Sequence, residues 1–349
     1  MPHKILLAAG GTGGHIMPSI AFGEHLRRNG WCPVWLSGSR PLEREIYAAH
    51  CIDARCLAFE GSPLGVSGFR SVKRWGQLFY SFFESRRILK EEGAEACVVF
   101  GGYLSFPVML AAKSLNIPVL LHEQNAVAGK VTRIAVKHGV KVACAWEECR
   151  GISREKMICT GMPLRNIELF DRKRAQTELL GSPLPEGEKL IVILGGSLGS
   201  RGLKKMLQGA QNMIKSTGCR ILCMGIKEAD RPFPEALIHD ATWNMAPVYS
   251  AADIIVCRAG ASTLAELLVL NVPSVVVPWM QSADNHQMGN AELFSKLTGA
   301  PLYLEGSPCE EFLSALSSAP SRRTSGDLSA GSRNLEALLC TLFSGKGNL

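Results

Sequence analysis

The sequence predicts an α/β protein built from two doubly wound, parallel-sheet domains, and three observations predict it. Short apolar runs bounded by turn residues alternate with segments of helical length throughout the chain, the pattern of strands buried on both faces. The opening device, Lys4-Ile5-Leu6-Leu7-Ala8-Ala9-Gly10-Gly11-Thr12-Gly13-Gly14, returns about 185 residues later as Lys189-Leu190-Ile191-Val192-Ile193-Leu194-Gly195-Gly196-Ser197-Leu198-Gly199. Each time a strand leads into glycines with a hydroxyl residue and then a helix. The 349 residues, 46% of them hydrophobic, are enough for two cores of ordinary size.

In the first half the expected strands are Ile5–Ala9, Val34–Ser37, Ala96–Phe100 and Val119–His122; in the second, Leu190–Leu194, Arg220–Gly225, Ile254–Cys257 and Ser274–Val277. Gly161-Met162-Pro163 meets a charged run, which sets an N-terminal domain at 1–162 and a C-terminal domain at 163–349. The stretch 317–333, rich in Ser, Ala, Gly and Arg, reads as a weakly ordered linker before a last helix over 334–343. Met1–Lys4 runs straight into five apolar residues followed by glycines, a first strand rather than a signal peptide. No stretch reaches about 18 apolar residues, so any membrane contact is expected to be peripheral. The 12 cysteines form no CxxC pair and no zinc-spaced cluster, as for reduced thiols of a cytoplasmic protein.

The net charge of +7 is uneven: residues 1–162 hold 20 Lys+Arg against 13 Asp+Glu, and 163–349 hold 18 of each. A basic first half suits an anionic partner, nucleic acid or an anionic lipid surface, or simply a solvated face. No nucleic-acid recognition motif accompanies it, and the aromatics are grouped with aliphatics, which argues against nucleic acid. Phe69, Lys73, Arg74, Trp75, Phe79 and Phe82 lie in one basic, aromatic segment with helical spacing. That is either an interfacial patch for an anionic membrane or an amphipathic helix packed on the sheet.

The loops after the strands carry the chemistry. Gly10–His15 turns the chain sharply and aims backbone N–H groups and a helix N-terminus at an anion such as a phosphate. Its third fingerprint position is Ile16, and Ser37-Gly38-Ser39-Arg40 supplies no acid after the second strand, which disfavours a nicotinamide or flavin. His15 opens the helix, where the dipole favours a neutral imidazole able to take a proton, against the alternative of a structural histidine. Gly101-Gly102-Tyr103 follows another strand, and His122-Glu123-Gln124-Asn125 puts four polar side chains at the same edge, too many for a core. In the second half Ser197 can bond a phosphate oxygen. The small-residue turn ahead of Ala261-Ser262-Thr263-Leu264-Ala265-Glu266 permits close approach of an anion, and Glu266 either accepts from a ribose diol or stabilises its own helix. A dense polar set from Gln281 to Asn290 follows a further strand.

Taken in order, GGTGGH, FGGYLSFP, HEQNAVAG, TGMPLR, GGSLGSRGL, CRAGASTLAE and DNHQMGNA resemble the motif series of the MurG family of bacterial glycosyltransferases, over roughly residues 4–300. The resemblance implies the GT-B fold, two Rossmann-like domains facing a cleft. It also implies inverting transfer of N-acetylglucosamine from UDP-N-acetylglucosamine to undecaprenyl-linked lipid I, with no cofactor or metal, at the cytoplasmic face of the bacterial inner membrane. Carried over, UDP-sugar positions are Thr12, Gly13, Gly14, Asn125, Arg165, Ser197, Thr242, Ala261–Glu266 and Gln287. The acceptor diphosphate falls to Gly11, Gly13, Gly14, Gly102 and Tyr103, and His15 is the candidate base. Thr242-Trp243-Asn244-Met245 departs from the family's more acidic segment, and Leu198 stands where Gln is frequent. The rival readings are another lipid-directed GT-B transferase, such as one acting on diacylglycerol, and a non-catalytic UDP-sugar-binding membrane protein.

Overall fold

The structure, a computed structural model, describes residues 3–61, 69–195, 201–321 and 325–344. Ser197 and Leu198 fall outside the described residues, and so does the side chain of Phe69. The chain divides into two compact units, one running up to Asn166 and resuming at Leu328, the other spanning Ile167–Asp327.

In the first unit the order is β1 (Lys4–Ala8), α1 (Gly13–Arg28), β2 (Cys32–Ser37), α2 (Pro41–Ala49), β3 (Arg55–Cys56), α3 (Phe69–Glu91), β4 (Ala96–Val99), α4 (Gly102–Ser114), β5 (Val119–Glu123), α5 (Lys130–Lys137), β6 (Lys141–Cys144) and β7 (Ile158–Cys159). Among the described residues these strands form one seven-stranded sheet, β3-β2-β1-β4-β5-β6-β7, parallel throughout. Its central strands carry no outward polar face because helices cover both sides: Ile5, Leu6 and Leu7 of β1 and Cys97, Val98 and Val99 of β4 are fully buried. Each large apolar side chain so buried contributes about 1.5–3 kcal/mol. The strand order reverses between β1 and β4, so the turns after Ala8 and Val99 splay to opposite sides and leave a crevice at the carboxyl edge.

The second unit runs α6 (Arg172–Leu180), β8 (Lys189–Leu194), α7 (Arg201–Ser216), β9 (Cys219–Met224), β10 (Leu237–His239), α8 (Ala246–Ala251), β11 (Ile254–Cys257), α9 (Ala261–Leu270), β12 (Ser274–Val276), α10 (His286–Thr298) and α11 (Cys309–Ser318). Its sheet is β10-β9-β8-β11-β12, again parallel. The order reverses between β8 and β11, and the turn before α9 lies at that point.

The assignment of all of 163–349 to the second domain is corrected by the last helix, α12 (Ala330–Ser344), which returns to the first unit. Glu336 draws it there. Its carboxylate meets His25 Nε2 at 2.7 Å and accepts from Asn29 Nδ2 at 2.7 Å and Trp31 Nε1 at 2.8 Å. Asn334 Nδ2 donates to the Thr160 carbonyl at 3.1 Å, and Lys141 Nζ to Thr341 Oγ1 at 3.1 Å. Gly331 packs backbone to backbone on Met162, where any Cβ would overlap the Met162 carbonyl. The supposed linker is thus partly helical: Ala330 to Arg333 form the first turn of α12. Before it, Ser325 Oγ and Gly326 N donate to the carbonyls of Leu270 and Val269, the latter at 2.6 Å.

Candidate active site

At the crevice of the first sheet, Thr12 precedes α1 in an extended conformation, and its carbonyl accepts from His15 N and Ile16 N at 3.1 and 3.2 Å. No acid stands in the first turn of α1 itself. His15 is half-buried and turns its ring toward the Gly101-Gly102 turn. Gly102 has φ of 73°, and a Cβ there would sit 3.2 Å from His15 Cδ2 and 3.5 Å from its Nε2. Only glycine combines that left-handed backbone with such close approach to the imidazole.

Of the four polar residues that end β5, three turn out to be buried, His122 wholly, Glu123 and Gln124 all but 2% and 1%. They are satisfied within the protein rather than presented to a ligand, which corrects the reading that they are too polar for a core. Glu123 organises the loop behind it: one carboxylate oxygen accepts from Asn125 N and Nδ2 at 3.0 and 3.1 Å, the other from Gly129 N at 3.0 Å and the Thr132 hydroxyl at 2.5 Å. Asn125 is the member left half-exposed, its amide anchored by that carboxylate. Gln124 bridges two histidines. Its Oε1 lies 2.8 Å from His15 Nδ1, and its Nε2 lies 3.0 Å from His122 Nδ1 and 2.8 Å from the His122 carbonyl. His122 Nε2 stands 3.0 Å from the Gly161 carbonyl. Burial pushes the His122 imidazole down to about 4, against the opposing pull of the Gly161 bond and of Glu123.

One acid escaped the sequence reading altogether. Glu43 reaches the glycine loop from α2 and is fully buried, accepting from Gly11 N, from the Tyr103 hydroxyl at 2.7 Å and from Arg40 N at 3.3 Å. Burial first, and the Glu43 carboxylate second, push the Tyr103 phenol far up. The Arg40 guanidinium lies 4.6 Å above the Tyr103 ring. The N–H of Gly11 and the hydroxyl of Tyr103 therefore address the Glu43 carboxylate within the protein.

In the second unit α9 starts beyond Gly260 with no acid in its first turn. Ser262 and Thr263 are partly exposed, whereas Ala261, Leu264 and Ala265 face the core and can offer only backbone. Glu266 is 3% exposed and accepts from the Tyr249 hydroxyl at 2.6 Å. Tyr249, on α8, is a partner that nothing in the motif announced. Buried Asn290 on α10 donates to the Ala259 carbonyl at 3.1 Å and ties down the turn ahead of α9. Asp284 and Asn285 take left-handed φ of 50° and 54° before α10, a conformation short polar side chains tolerate. Just beyond them Gln287 Oε1 accepts from Trp279 N at 2.9 Å. Thr242 Oγ1 accepts from Asn244 N at 3.1 Å in the turn before α8, and Arg165 is half-buried in the irregular stretch after β7.

Helix α3 resolves its two readings by face. Leu78 and Phe82 pack against the core beside the wholly buried Ser81 and Ser85, so Phe82 does not belong to an exposed patch. Trp75, Phe79, Tyr80 and Phe83 stay open at 52%, 69%, 57% and 52% exposure, more contiguous apolar surface than scattered single residues would give. Lys73 is exposed and Arg74 half-buried beside them. Among the described residues no helix is long and apolar enough to cross a membrane.

Two parallel sheets, each with a small-residue turn leading into a helix at its switch point, give the two-domain α/β architecture that GT-B glycosyltransferases share. Comparison with known proteins makes this specific. Residues 5–144 match the glycosyltransferase family 28 N-terminal domain and residues 190–315 the family 28 C-terminal domain. The UDP-N-acetylglucosamine–N-acetylmuramyl-(pentapeptide) pyrophosphoryl-undecaprenol N-acetylglucosamine transferase of Trichodesmium erythraeum is 33% identical over 87% of this chain and 80% of its own length. Its counterpart from Nostoc punctiforme is 33% identical over 88% and 85%. The crystal structure of Acinetobacter baumannii MurG superposes with a TM-score of 0.65 at 27% identity, covering 90% of each chain. The chain belongs to glycosyltransferase family 28.

Proposed function

We propose that the chain transfers N-acetylglucosamine from UDP-N-acetylglucosamine to the C4 hydroxyl of undecaprenyl-diphospho-N-acetylmuramoyl-pentapeptide, with inversion. The observation that carries this reading is the match, through both units, to relatives bearing that activity in their names. In the step itself the acceptor oxygen forms a bond to the anomeric carbon as the bond from that carbon to the UDP β-phosphate oxygen breaks. UDP leaves with the electron pair, and the hydroxyl proton passes to His15 Nε2. The second unit holds UDP through Ser197, Thr242, the N-terminus of α9, Glu266 and Gln287. Gly13, Gly14 and Gly102 serve the acceptor diphosphate. Helix N-termini aimed at the departing phosphate supply the stabilisation that lets the reaction run without a metal.

Docking of the first unit on the anionic cytoplasmic face of the inner membrane follows from the same reading. The open aromatic face of α3, flanked by Lys73 and Arg74, joins apolar insertion to charge attraction in a unit whose residues 1–162 hold 20 Lys+Arg against 13 Asp+Glu. Purified protein with UDP-N-acetylglucosamine and a lipid I analogue tests the reaction, with diacylglycerol as the rival acceptor and a chelator arm. Absence of transfer to lipid I sinks the assignment, and loss of transfer with chelator sinks its metal-free part. Replacing Trp75, Phe79 and Phe83 together by Ala should abolish sedimentation with phosphatidylglycerol vesicles while leaving turnover of a soluble acceptor intact.

A further inference from the structure

A chain of hydrogen bonds runs from the backbone behind β7 to the imidazole of His15, and each link dictates the next. The Gly161 carbonyl only accepts, so His122 Nε2, 3.0 Å away, carries the proton. Burial keeps that ring neutral, so its Nδ1 is an acceptor. The group opposite it at 3.0 Å must then be the Gln124 amide NH2, whose second proton goes to the His122 carbonyl at 2.8 Å. With its nitrogen so placed, Gln124 turns Oε1 to His15, and that oxygen, also only an acceptor, requires a proton on His15 Nδ1, 2.8 Å away. The lone pair of the neutral His15 ring is thereby confined to Nε2, the atom on the side of Gly102.

We infer that Gln124 and His122 are positioning residues that lock His15 in its Nδ1–H tautomer and present Nε2 as the proton acceptor. The anchor of this wire is itself braced. Thr160, whose carbonyl accepts from Asn334, precedes Gly161, and Gly331 of α12 lies against both Gly161 and Met162. The return of the last helix to the first unit thus has a consequence at the site, since it holds the carbonyl that fixes the first tautomer. Gln124, at 1% exposure, has no solvent to offer its amide an alternative orientation.

The inference rests on reading His15 as the proton acceptor, yet its decisive test does not. In protein labelled with 15N at the histidine rings and held near pH 8, His15, assigned by the signals lost in His15→Ala, should show a protonated Nδ1 and an unprotonated Nε2. Gln124→Met, which keeps the volume and removes the acceptor, should return His15 to the Nε2–H form that imidazole prefers in water. Its kcat should fall roughly 10- to 100-fold with KM for both substrates within about threefold. Gln124→Glu keeps an acceptor toward His15, retains the Nδ1–H form, and shifts the acid limb of the kcat profile to higher pH. His122→Gln, two links away, gives a second route to the same loss if Gln124→Met fails to fold. An Nε2–H signal in the wild type, or an unchanged His15 tautomer in Gln124→Met, overturns the inference. Full turnover by His15→Ala with the wild-type tautomer intact overturns the proton-acceptor reading and leaves the wire standing.

Discussion

Acidification should unfold the first unit through His122, and the size of the effect follows from its burial. The unfolded chain titrates there at 6.5, whereas burial holds the folded ring down to about 4. Between those values the unfolded state binds the extra proton, so stability is complete above 6.5, falls as pH drops through the window, and levels off below the folded value. The loss amounts to about 2 kcal/mol at pH 5 and about 3 kcal/mol at pH 4. Urea unfolding followed through the indole signal of Trp146, whose Nε1 donates to the Gln124 carbonyl at 2.8 Å, reports this unit by itself. His122→Gln keeps a donor toward Gly161 and has no proton to gain. Its stability at neutral pH is lower than that of the wild type, but its decline between pH 6.5 and 4 should be shallower by those same amounts. All other titrating groups are common to both proteins and cancel in the difference. Parallel pH dependences for the two would refute the argument, because they would place the acid-sensitive group elsewhere.

Three substitutions probe other joints of the structure. Glu336→Ala leaves the donors of Asn29 and Trp31 without their acceptor at a site where the Glu336 and His25 side chains are only 18% and 11% exposed. The melting of the first unit should drop by the equivalent of about 2 kcal/mol, with faster amide exchange along α12; unchanged melting would mean that apolar contacts alone hold the helix. Tyr249→Phe removes a hydroxyl that donates to Glu266, and UDP affinity measured by calorimetry should fall roughly 3- to 10-fold, whereas unaltered affinity would detach Glu266 from the ribose. Gly102→Ala forces a side chain into left-handed backbone at a cost of about 1–2 kcal/mol and crowds His15. In steady-state assays kcat should fall while the donor KM holds, and a normal kcat would show that Nε2 is not used on that side.

What the sequence disclosed and what it withheld divide along chain distance. The eight short apolar runs announce β1, β2, β4, β5, β8, β9, β11 and β12 because a strand covered on both faces needs little but local composition. The inner strand β6, four residues opening on an exposed lysine, goes unannounced. β3 and β7, two residues each, and β10, three half-exposed residues at an edge, carry too little composition to announce anything. The glycine loops were legible for the same local reason, yet what their amides do was not. No acid stands in Ser37–Arg40 at the end of β2, and the acid that takes the Gly11 N–H is Glu43 in the helix that follows, delivered by the packing of that helix rather than by a motif. Gln124 lies 109 residues from His15, Tyr249 lies 17 from Glu266 on another element, and Glu336 lies more than 300 from the side chains it holds. None of these pairs has a period or spacing to betray it. The HEQN segment shows why this matters for function. Read locally, four polar residues at a strand end look like a ligand surface; folded, three of them are an internal frame, and the side chain that frame holds is a histidine from the opposite end of the unit's sequence. A motif therefore marks where a site is more surely than it marks which of its residues touch the substrate, because burial, which separates the two roles, is a property of the whole unit.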